Sequence, residues 1–215
     1  NQRGLRPVTP RLCHRLDRET SGVLLVAKSS AARRAMQRTF ERDQVEKEYL
    51  ALVEGQPRER TLEVTVRVGA ALDRCRATGN RLARADPHGK SALTRIELLV
   101  GCGSFSLLRC RPQTGRQNQI RVHLSSIGHP IVGDSCYGSN PEAVMHAALP
   151  FPGRALLHSA SLRFPHPIWQ SPCRVESPPP RDFLPYLAQL AAQPLTTRDQ
   201  AQAWVTHWKR LATRG

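Results

Sequence analysis

Apolar and polar residues alternate along the chain in short runs that predict β-strands. The run at 22–28 is mostly apolar and has the length of a strand, so we expect a strand buried on both faces of a sheet. Residues 45–54 alternate between two faces and predict another strand, which ends at Gly55 and Pro57. Shorter runs with β-branched and apolar residues predict further strands at 62–68, 92–100, 104–110 and 155–164.

A helix is predicted directly after the first of these strands. Ser29 or Ser30 can cap its first turn, and the pattern continues to about Asp43. Its buried stripe is predicted to be Ala32, Met36 and Phe40, which follow one another at intervals of four residues.

A second helix is predicted over 115–127. Thr114 and Gln117 have the spacing of a capping box, so Thr114 should begin this helix. Arg121 would point away from the apolar stripe of the helix, where its planar guanidinium could hold a carboxylate with two hydrogen bonds. The apolar stripe consists of Ile120, Leu124 and Ile127.

These elements indicate a mixed α/β chain of the α+β class. We expect one main domain over 1–183 and a helical extension over 184–215 that packs on it, with Trp204 and Trp208 on the apolar stripe of the extension. The basic stretch 73–91 predicts a mobile loop between strands. The first residue is Asn1 and not Met, which is compatible with a missing upstream segment.

The charge of the chain narrows its possible partners. The 215 residues include 32 Lys and Arg against 17 Asp and Glu, a formal charge of +15, and the arginines are spread along the chain. This excess favours a nucleic-acid partner, because basic surfaces bind phosphates with release of counterions. Charge alone does not distinguish RNA, DNA, a ribosome or an anionic membrane.

The cysteines and histidines carry no recognisable metal or disulfide pattern. No two cysteines form a C-x-x-C pair, and the sequence has no long apolar run. We therefore expect reduced thiols, a cytoplasmic location, no membrane contact and no metal. The six cysteines are Cys13, Cys75, Cys102, Cys110, Cys136 and Cys173.

The densest chemical signal is the segment 14–22, in which Asp17 lies among cations directly before an apolar run. A loop at the end of a strand can hold an acid in place and leave it accessible. Arg15 and Arg18 are expected to keep Asp17 ionised by lowering its pKa. The alternative is an ordinary loop aspartate that caps a turn or pairs with one of these arginines.

Four separated motifs resemble, in order, those of the RluA-type pseudouridine synthases. The segment 14–22 is similar to the catalytic-loop signature H-R-L-D-x-x-T-S-G, and 47–55 to the strand K-x-Y-x-A-x-V-x-G. The stretch 114–138 is similar to a third motif, and 156–158 with 164–167 to a fourth. Because four motifs match in order over most of 11–183, the resemblance is specific.

The resemblance implies an RNA pseudouridine synthase that isomerises uridines of structured RNA, either rRNA or tRNA, without a cofactor. It implies a mostly antiparallel central sheet flanked by helices, with the active site in a central cleft; we expect a monomer. Asp17 falls on the catalytic aspartate, Tyr49 on a tyrosine that stacks on the target base, and Arg121 on the arginine paired with that aspartate. Further substrate contacts are expected from Arg15, which helps to replace the flipped base, and from His14, Thr20, Arg116, Gln119 and Leu157.

The chain departs from the family pattern at two places. Asn118 stands where the family usually has His, and this change is expected to alter a structural hydrogen bond beside Arg121 without affecting the acid itself. The N-K-P-x-G-type segment that normally precedes the catalytic loop is absent from the sequence.

Two other functions remain compatible with the residues. A glycoside or nucleoside hydrolase would pair Asp17 with Glu19 or Asp134, since glycosidic cleavage often uses two carboxylates. Glu19 is very close to Asp17 in the sequence, however, and Asp134 follows Gly133 in a pattern typical of a turn. A non-catalytic RNA-binding or ribosome-associated module would require only the basic charge.

Overall fold

Strands dominate the computed structural model, which describes residues 9–75, 79, 81–138 and 149–192. A short 3-10 turn at Arg181–Phe183 precedes the last helix. The elements are β1 (Arg11–Leu12), β2 (Ser21–Gly22), β3 (Val26–Ala27), α1 (Ser30–Glu41), β4 (Glu46–Glu54), β5 (Thr61–Thr65), β6 (Val68–Arg74), β7 (Arg81–Ala85), β8 (Leu93–Gly101), β9 (Phe105–Pro112), α2 (Gln119–Ser126), β10 (Leu157–Pro165), β11 (Pro172–Glu176) and α3 (Leu184–Ala192).

The central sheet has the strand order β11-β10-β4-β9-β8-β5, and neighbouring strands on this path are antiparallel. β2 joins the sheet by pairing in parallel with β10. The predicted α+β class with a mostly antiparallel sheet is therefore confirmed. β4 bonds to a strand on each side and is buried on both faces at residues 50–53.

The main core lies around β4, β9 and β10 and includes Ile120 and Leu124 of α2. Tyr186, Leu187 and Leu190 of α3 belong to the same core. The predicted helix with Trp204 and Trp208 lies outside the described residues.

The prediction of α1 is confirmed. The Ser29 hydroxyl accepts a hydrogen bond from the Ala32 backbone N–H (3.1 Å), so Ser29 is the cap. Met36 is buried in a second core cluster, and Ala32 and Phe40 pack against it. This cluster joins α1 and the segment from Cys13 to Ala27 to the distal half of β10.

The expected buried strand at 22–28 is wrong. Gly22 pairs with β10 and the Val23 N–H donates to the Ser159 carbonyl (2.9 Å), but Val26–Ala27 forms the separate strand β3 with β1. Gly22 has φ +114° and lies so close to the Ser159 backbone that no side chain fits there. The chain turns away after this contact, which leaves the side chain of Leu24 42% exposed.

The stretch 73–91 is also more ordered than a loop. Its residues 81–85 form β7, which pairs with β6 in a two-stranded sheet. Residues 76–78 and 80 lie outside the described part. The sequence pattern missed β11 as well, because prolines surround it; as an edge strand it tolerates a proline at its first residue.

α2 begins later than predicted. Its N-cap is Asn118, which has φ 52° and makes no side-chain capping bond. The capping box of Thr114 and Gln117 is therefore wrong: the Thr114 hydroxyl donates instead to Gln119 Oε1 (2.7 Å). Asn tolerates the left-handed conformation better than most residues do, which allows the sharp entry into the helix.

Candidate active site

A cavity of about 420 Å³ opens between the 13–20 loop, β4, the start of β10 and the segment that leads into α2. The predicted site residues, with the exception of Arg121, line it together. Those lining residues are His14, Arg15, Asp17, Thr20, Tyr49, Arg116, Gln119 and Leu157.

Backbone hydrogen bonds fix the Asp17 loop on its N-terminal side. The Cys13 N–H donates to the Leu25 carbonyl (3.0 Å), and the Leu25 N–H donates to His14 Nε2 (3.0 Å). Burial lowers the pKa of His14, consistent with a neutral ring that accepts this bond and packs on Phe40. A turn closed by Thr20 N–H and the Asp17 carbonyl (2.9 Å) then presents the carboxylate. His14 thus acts as an anchor of the loop.

Arg154, which the sequence analysis did not select, holds the other side of the loop. Its Nη1 donates to the Glu19 carbonyl (2.7 Å) and to the Leu157 carbonyl (3.3 Å), and Nη2 donates to the Ser21 hydroxyl (3.2 Å). Two further bonds reach the Asp182 carboxylate (2.7 and 3.0 Å). One guanidinium therefore connects the loop, the first residue of β10 and the turn before α3. The only signal in the sequence was its position just before the fourth motif.

His158 strengthens the same junction. Its Nε2 donates to the Ser177 carbonyl (2.9 Å), which can only accept, so Nδ1 accepts from the Ser21 hydroxyl (2.9 Å). Burial lowers the pKa of His158, in keeping with this neutral tautomer. The loop is thereby fastened to the centre of the sheet from two directions.

Asp17 is half-buried between opposing influences. Burial raises its pKa above the ordinary value, while the charges of Arg121 and Arg15 and the side chain of Asn118 act to lower it. The nearby Asp134 raises the pKa further. The expectation that arginines would lower the pKa is wrong for the net shift, because loss of hydration outweighs them.

Arg121 does not pair with Asp17 as the resemblance implied. Its Nε and Nη2 donate to the two carboxylate oxygens of Asp134, each at 2.7 Å, and Nη2 lies 3.7 Å from Glu19 Oε2. The Asp134 side chain is fully buried, and its Oδ1 also accepts from the backbone N–H of Cys136 (3.0 Å). Arg121 therefore acts on Asp17 through its charge, which lowers the pKa of the Asp17 carboxyl.

Tyr49 lies opposite Ser159 of β10 on the central strand β4. Burial raises its pKa to about 12; the Ser159 side chain lowers it and the charge of Asp17 raises it. The phenol is therefore neutral at any physiological pH. It forms one wall of the cavity, and Leu157 contributes an aliphatic wall.

Gln119 was expected to contact a substrate, but its amide is fully engaged within the protein. Oε1 accepts from the Thr114 hydroxyl and from the Arg116 backbone N–H (3.0 Å). Nε2 donates to the Leu93 carbonyl and to the Thr94 hydroxyl, both at 3.0 Å. Gln119 thus shapes the wall of the cavity and positions the Arg116 backbone.

Two further residues contribute to the site beyond the predicted set. Lys47, part of the second motif, lines the cavity, and burial lowers the pKa of its ammonium group. Asn118 lies against Asp17 and lowers the pKa of that carboxyl. The expectation that the replacement at 118 would not affect the acid is therefore wrong.

The expectation of reduced thiols also fails in part. Cys75, which follows β6, and Cys136, near Asp134, form a disulfide across 61 residues of sequence. The remaining cysteines, Cys13, Cys102, Cys110 and Cys173, are free. The pairing was invisible in the sequence because it depends on how the β6–β7 hairpin folds back onto the segment after α2.

In the ranges that the structure describes, no helix is long and apolar enough to cross a membrane. Nor do His, Cys, Asp and Glu side chains of those ranges form a group of three or more that could hold a metal ion.

The sequence is similar to a known protein family and to two bacterial proteins. Residues 1–126 match a protein family described as RNA pseudouridylate synthase. The chain is 38% identical over 181 residues to the ribosomal large subunit pseudouridine synthase C of Escherichia coli K12, covering 81% of this chain and 56% of that protein. It is 35% identical to the ribosomal large subunit pseudouridine synthase D of Zymomonas mobilis, covering 81% of this chain and 54% of that protein.

A solved structure with a similar fold also carries a pseudouridylate synthase name. Human RNA pseudouridylate synthase domain containing 1 superposes with a TM-score of 0.68 at 32% identity, covering 83% of this chain and 71% of that chain. The chain spans a little over half the length of the curated bacterial relatives it matches.

Proposed function

The chain belongs to the RNA pseudouridylate synthase family, and from that premise we propose that it isomerises uridines of structured RNA to pseudouridine. The observation that carries the proposal is the position of Asp17, whose hydrogen-bonded loop lines one cavity together with Tyr49 and Leu157. The names of the bacterial relatives favour rRNA over tRNA as the substrate. We further propose that the protein works as a cytoplasmic monomer and needs no cofactor.

The proposed reaction breaks the bond between uracil N1 and ribose C1′ and forms a bond between uracil C5 and the same C1′. The base gains a proton at N1 and loses the proton at C5, so the product is an isomer of the substrate. No electrons enter or leave, which is why no redox group is required. The target nucleotide must first leave its stack, at a cost of a few kcal/mol that contacts in the cavity offset.

Asp17 acts in its ionised form, either as a nucleophile at C1′ or as a base that removes a ribose proton. Its partial burial supports both roles, because a carboxylate with a raised pKa is a stronger base and nucleophile than one in water. Arg121 is a positioning residue in this proposal: its charge lowers the pKa of Asp17 and so opposes the effect of burial.

The detached uracil must be retained while it turns. Tyr49 offers a neutral aromatic wall for stacking, and Leu157 and Ile120 offer aliphatic surface in the same cavity. Arg15 is exposed at the cavity, in a position to fill the space that the flipped base leaves in the RNA. Thr20 and Arg116 are the remaining polar side chains proposed to contact the nucleotide.

A hydrolase is less well supported by these contacts. Asp134 is fully buried and bonded twice to Arg121, so it cannot serve as a second free carboxylate. Glu19 faces Arg121 and not the cavity of Asp17 and Tyr49. A purely RNA-binding module would not need a carboxylate fastened in this way.

The test is to compare wild type and Asp17→Asn on a large-subunit rRNA transcript, measuring pseudouridine formation in a single turnover, free uracil release and RNA binding. We expect pseudouridine from the wild type without free uracil. Asp17→Asn should give no product and should bind RNA within about tenfold of wild type, since the phosphate-binding surface is intact. Glu59→Gln, an exposed carboxylate away from the cavity, is the control. Release of uracil would indicate a hydrolase, and binding without either product would indicate a binding module.

A further inference from the structure

A second cavity, of about 240 Å³, lies on the other side of Asp17. It shares Arg15, Asp17, Gln117 and Asn118 with the first cavity, so the two spaces meet at the carboxylate. Their linings differ in character. The first cavity combines Tyr49 and aliphatic side chains with the cations Lys47 and Arg116. The second has arginines from three parts of the chain, Arg15 and Arg18, Arg81, and Arg121, together with Glu19, whose carboxylate lies 3.7 Å from Arg121 Nη2.

Three of these arginines are available to an external anion. Arg121 is engaged with Asp134 and Glu19. Arg15, Arg18 and Arg81 are exposed, and none of them forms an ion pair within 4 Å with a carboxylate among the residues that the structure describes.

Two hydrogen bonds and a disulfide fix the hairpin that carries Arg81. It begins β7, and its carbonyl accepts a hydrogen bond from Gln117 Nε2 (3.2 Å), next to the site. The Ala83 N–H donates to the Tyr137 hydroxyl (3.0 Å), and the Cys75–Cys136 disulfide ties the end of β6 to the same segment. The hairpin is therefore held at both of its strands against the segments that precede and follow α2.

The chemistry of a nucleotide matches this division of the space. An uncharged base suits the Tyr49 and aliphatic walls of the first cavity, whereas each flanking phosphate carries a full negative charge and needs cations or water around it. Because C1′ has to lie at Asp17, a phosphate of the same nucleotide lies within a few ångströms, and the cavity with the free arginines adjoins that point.

We propose that the second cavity is a subsite for the backbone phosphate beside the target uridine, with Arg81 and Arg18 as its donors. The inference rests on the proposed function, since it assumes that a nucleotide is bound at Asp17. It assigns to the β6–β7 hairpin a role in positioning the reacting nucleotide, beyond general attraction to RNA. Such a contact should influence the rate of the bound complex, and not only its affinity.

The experiment compares Arg81→Gln and Arg18→Gln with Arg84→Gln, an exposed arginine of the same strand β7 that lines neither cavity. Wild type is first used to map its target uridine in a large-subunit rRNA transcript. Oligonucleotides that contain this uridine are then made with a neutral methylphosphonate in place of either flanking phosphate. Single-turnover rates are measured with saturating enzyme.

We expect about a tenfold lower rate for Arg81→Gln, since a hydrogen bond between charged groups is lost, and no change for Arg84→Gln. One methylphosphonate should slow wild type by a similar factor but slow Arg81→Gln by less than about twofold, because the contact is already absent. Equal rates for Arg81→Gln and Arg84→Gln, or the same methylphosphonate effect in wild type and variant, would overturn the subsite and leave the proposed function standing. A wild-type protein that forms no pseudouridine would overturn both.

Discussion

Arg121 donates two hydrogen bonds of 2.7 Å to the carboxylate of Asp134. This ion pair fixes the position from which the charge of Arg121 lowers the pKa of Asp17. The pair is buried, with 8% of the arginine side chain and none of the aspartate side chain exposed. Asp134 in turn accepts the backbone N–H groups of Cys136 and Tyr137 (3.0 and 3.1 Å). The cation that most strongly lowers the pKa of the proposed catalytic carboxylate is thus positioned by a turn that follows α2.

The first prediction concerns this pair. Arg121→Lys and Asp134→Asn should each lower the free energy of unfolding by about 3 kcal/mol, because each leaves a buried partner without its two-pronged bond. The double variant should lose much less than the sum. Urea unfolding of the four proteins measures this coupling. Additive losses would show that the two residues act separately.

The second prediction is a pair of opposite shifts in the pH profile. In the proposed mechanism Asp17 reacts in its ionised form, so the rate should fall as the pH drops through its raised pKa. Asp134→Asn removes a charge that raises this pKa, so the acid limb of kcat/KM should move to lower pH. Asn118→Ala removes an interaction that lowers it, so the limb should move to higher pH. Shifts in the same direction would contradict the assignment of the limb to Asp17.

The third prediction concerns Arg154 as a positioning residue. Arg154→Lys cannot reproduce bonds to the loop, to Leu157 and to Asp182 at once, so kcat should fall at least tenfold with little change in KM. Arg109→Lys is the matched control, because Arg109 is likewise ion-paired, with Glu48 and Glu97, but lies on β9 away from the loop. Both variants should lose stability. A control that loses kcat as strongly would reduce Arg154 to an ordinary structural residue.

The fourth prediction concerns the disulfide. Reduction should lower the free energy of unfolding by about 2–4 kcal/mol, since the Cys75–Cys136 bond closes a long loop. Cys136→Ser should show the same loss and no further effect of reductant. Cys102→Ser, which removes a free thiol, should keep the full response. Peptide mapping without reductant identifies the linked pair, and finding both cysteines alkylated in the native protein would refute the bond.

Local sequence patterns predicted those parts of the fold that local chemistry decides. The Ser29 cap, the stripe of α1 and strand β4 were all identified, because a hydroxyl three residues from its N–H and a run of alternating residues determine them almost alone. Two patterns were overridden by contacts far away in the chain. The apolar run after Gly22 does not continue along the sheet, because Gly22 packs against the Ser159 backbone and the chain turns there. The predicted capping box does not form, because the Thr114 hydroxyl donates to Gln119 Oε1 instead.

The sequence predicted which residues form the candidate site, but not which of these side chains bond to each other. The motifs selected side chains that do meet around one cavity, yet they gave Arg121 the wrong carboxylate and overlooked Arg154. Pairing between charged side chains depends on distances between separate elements, and a sequence motif holds no record of these. The net rise in the Asp17 pKa was missed for the same reason, since burial emerges only after folding.

Because β2 pairs with β10, the Asp17 loop can reach its final shape only late in synthesis. Ser21 and its partner His158 are separated by 137 residues, so the loop that carries Asp17 leaves the ribosome long before the strand that fastens it exists. Arg154 and Asp182 arrive equally late. A nascent chain that ends before β10 already contains Asp17, Tyr49 and Arg121 and the local bonds of the loop to Leu25, but it lacks the bonds from Arg154 and His158 that hold the other side of the loop. The proposed activity should therefore arise only after β10 has entered the sheet.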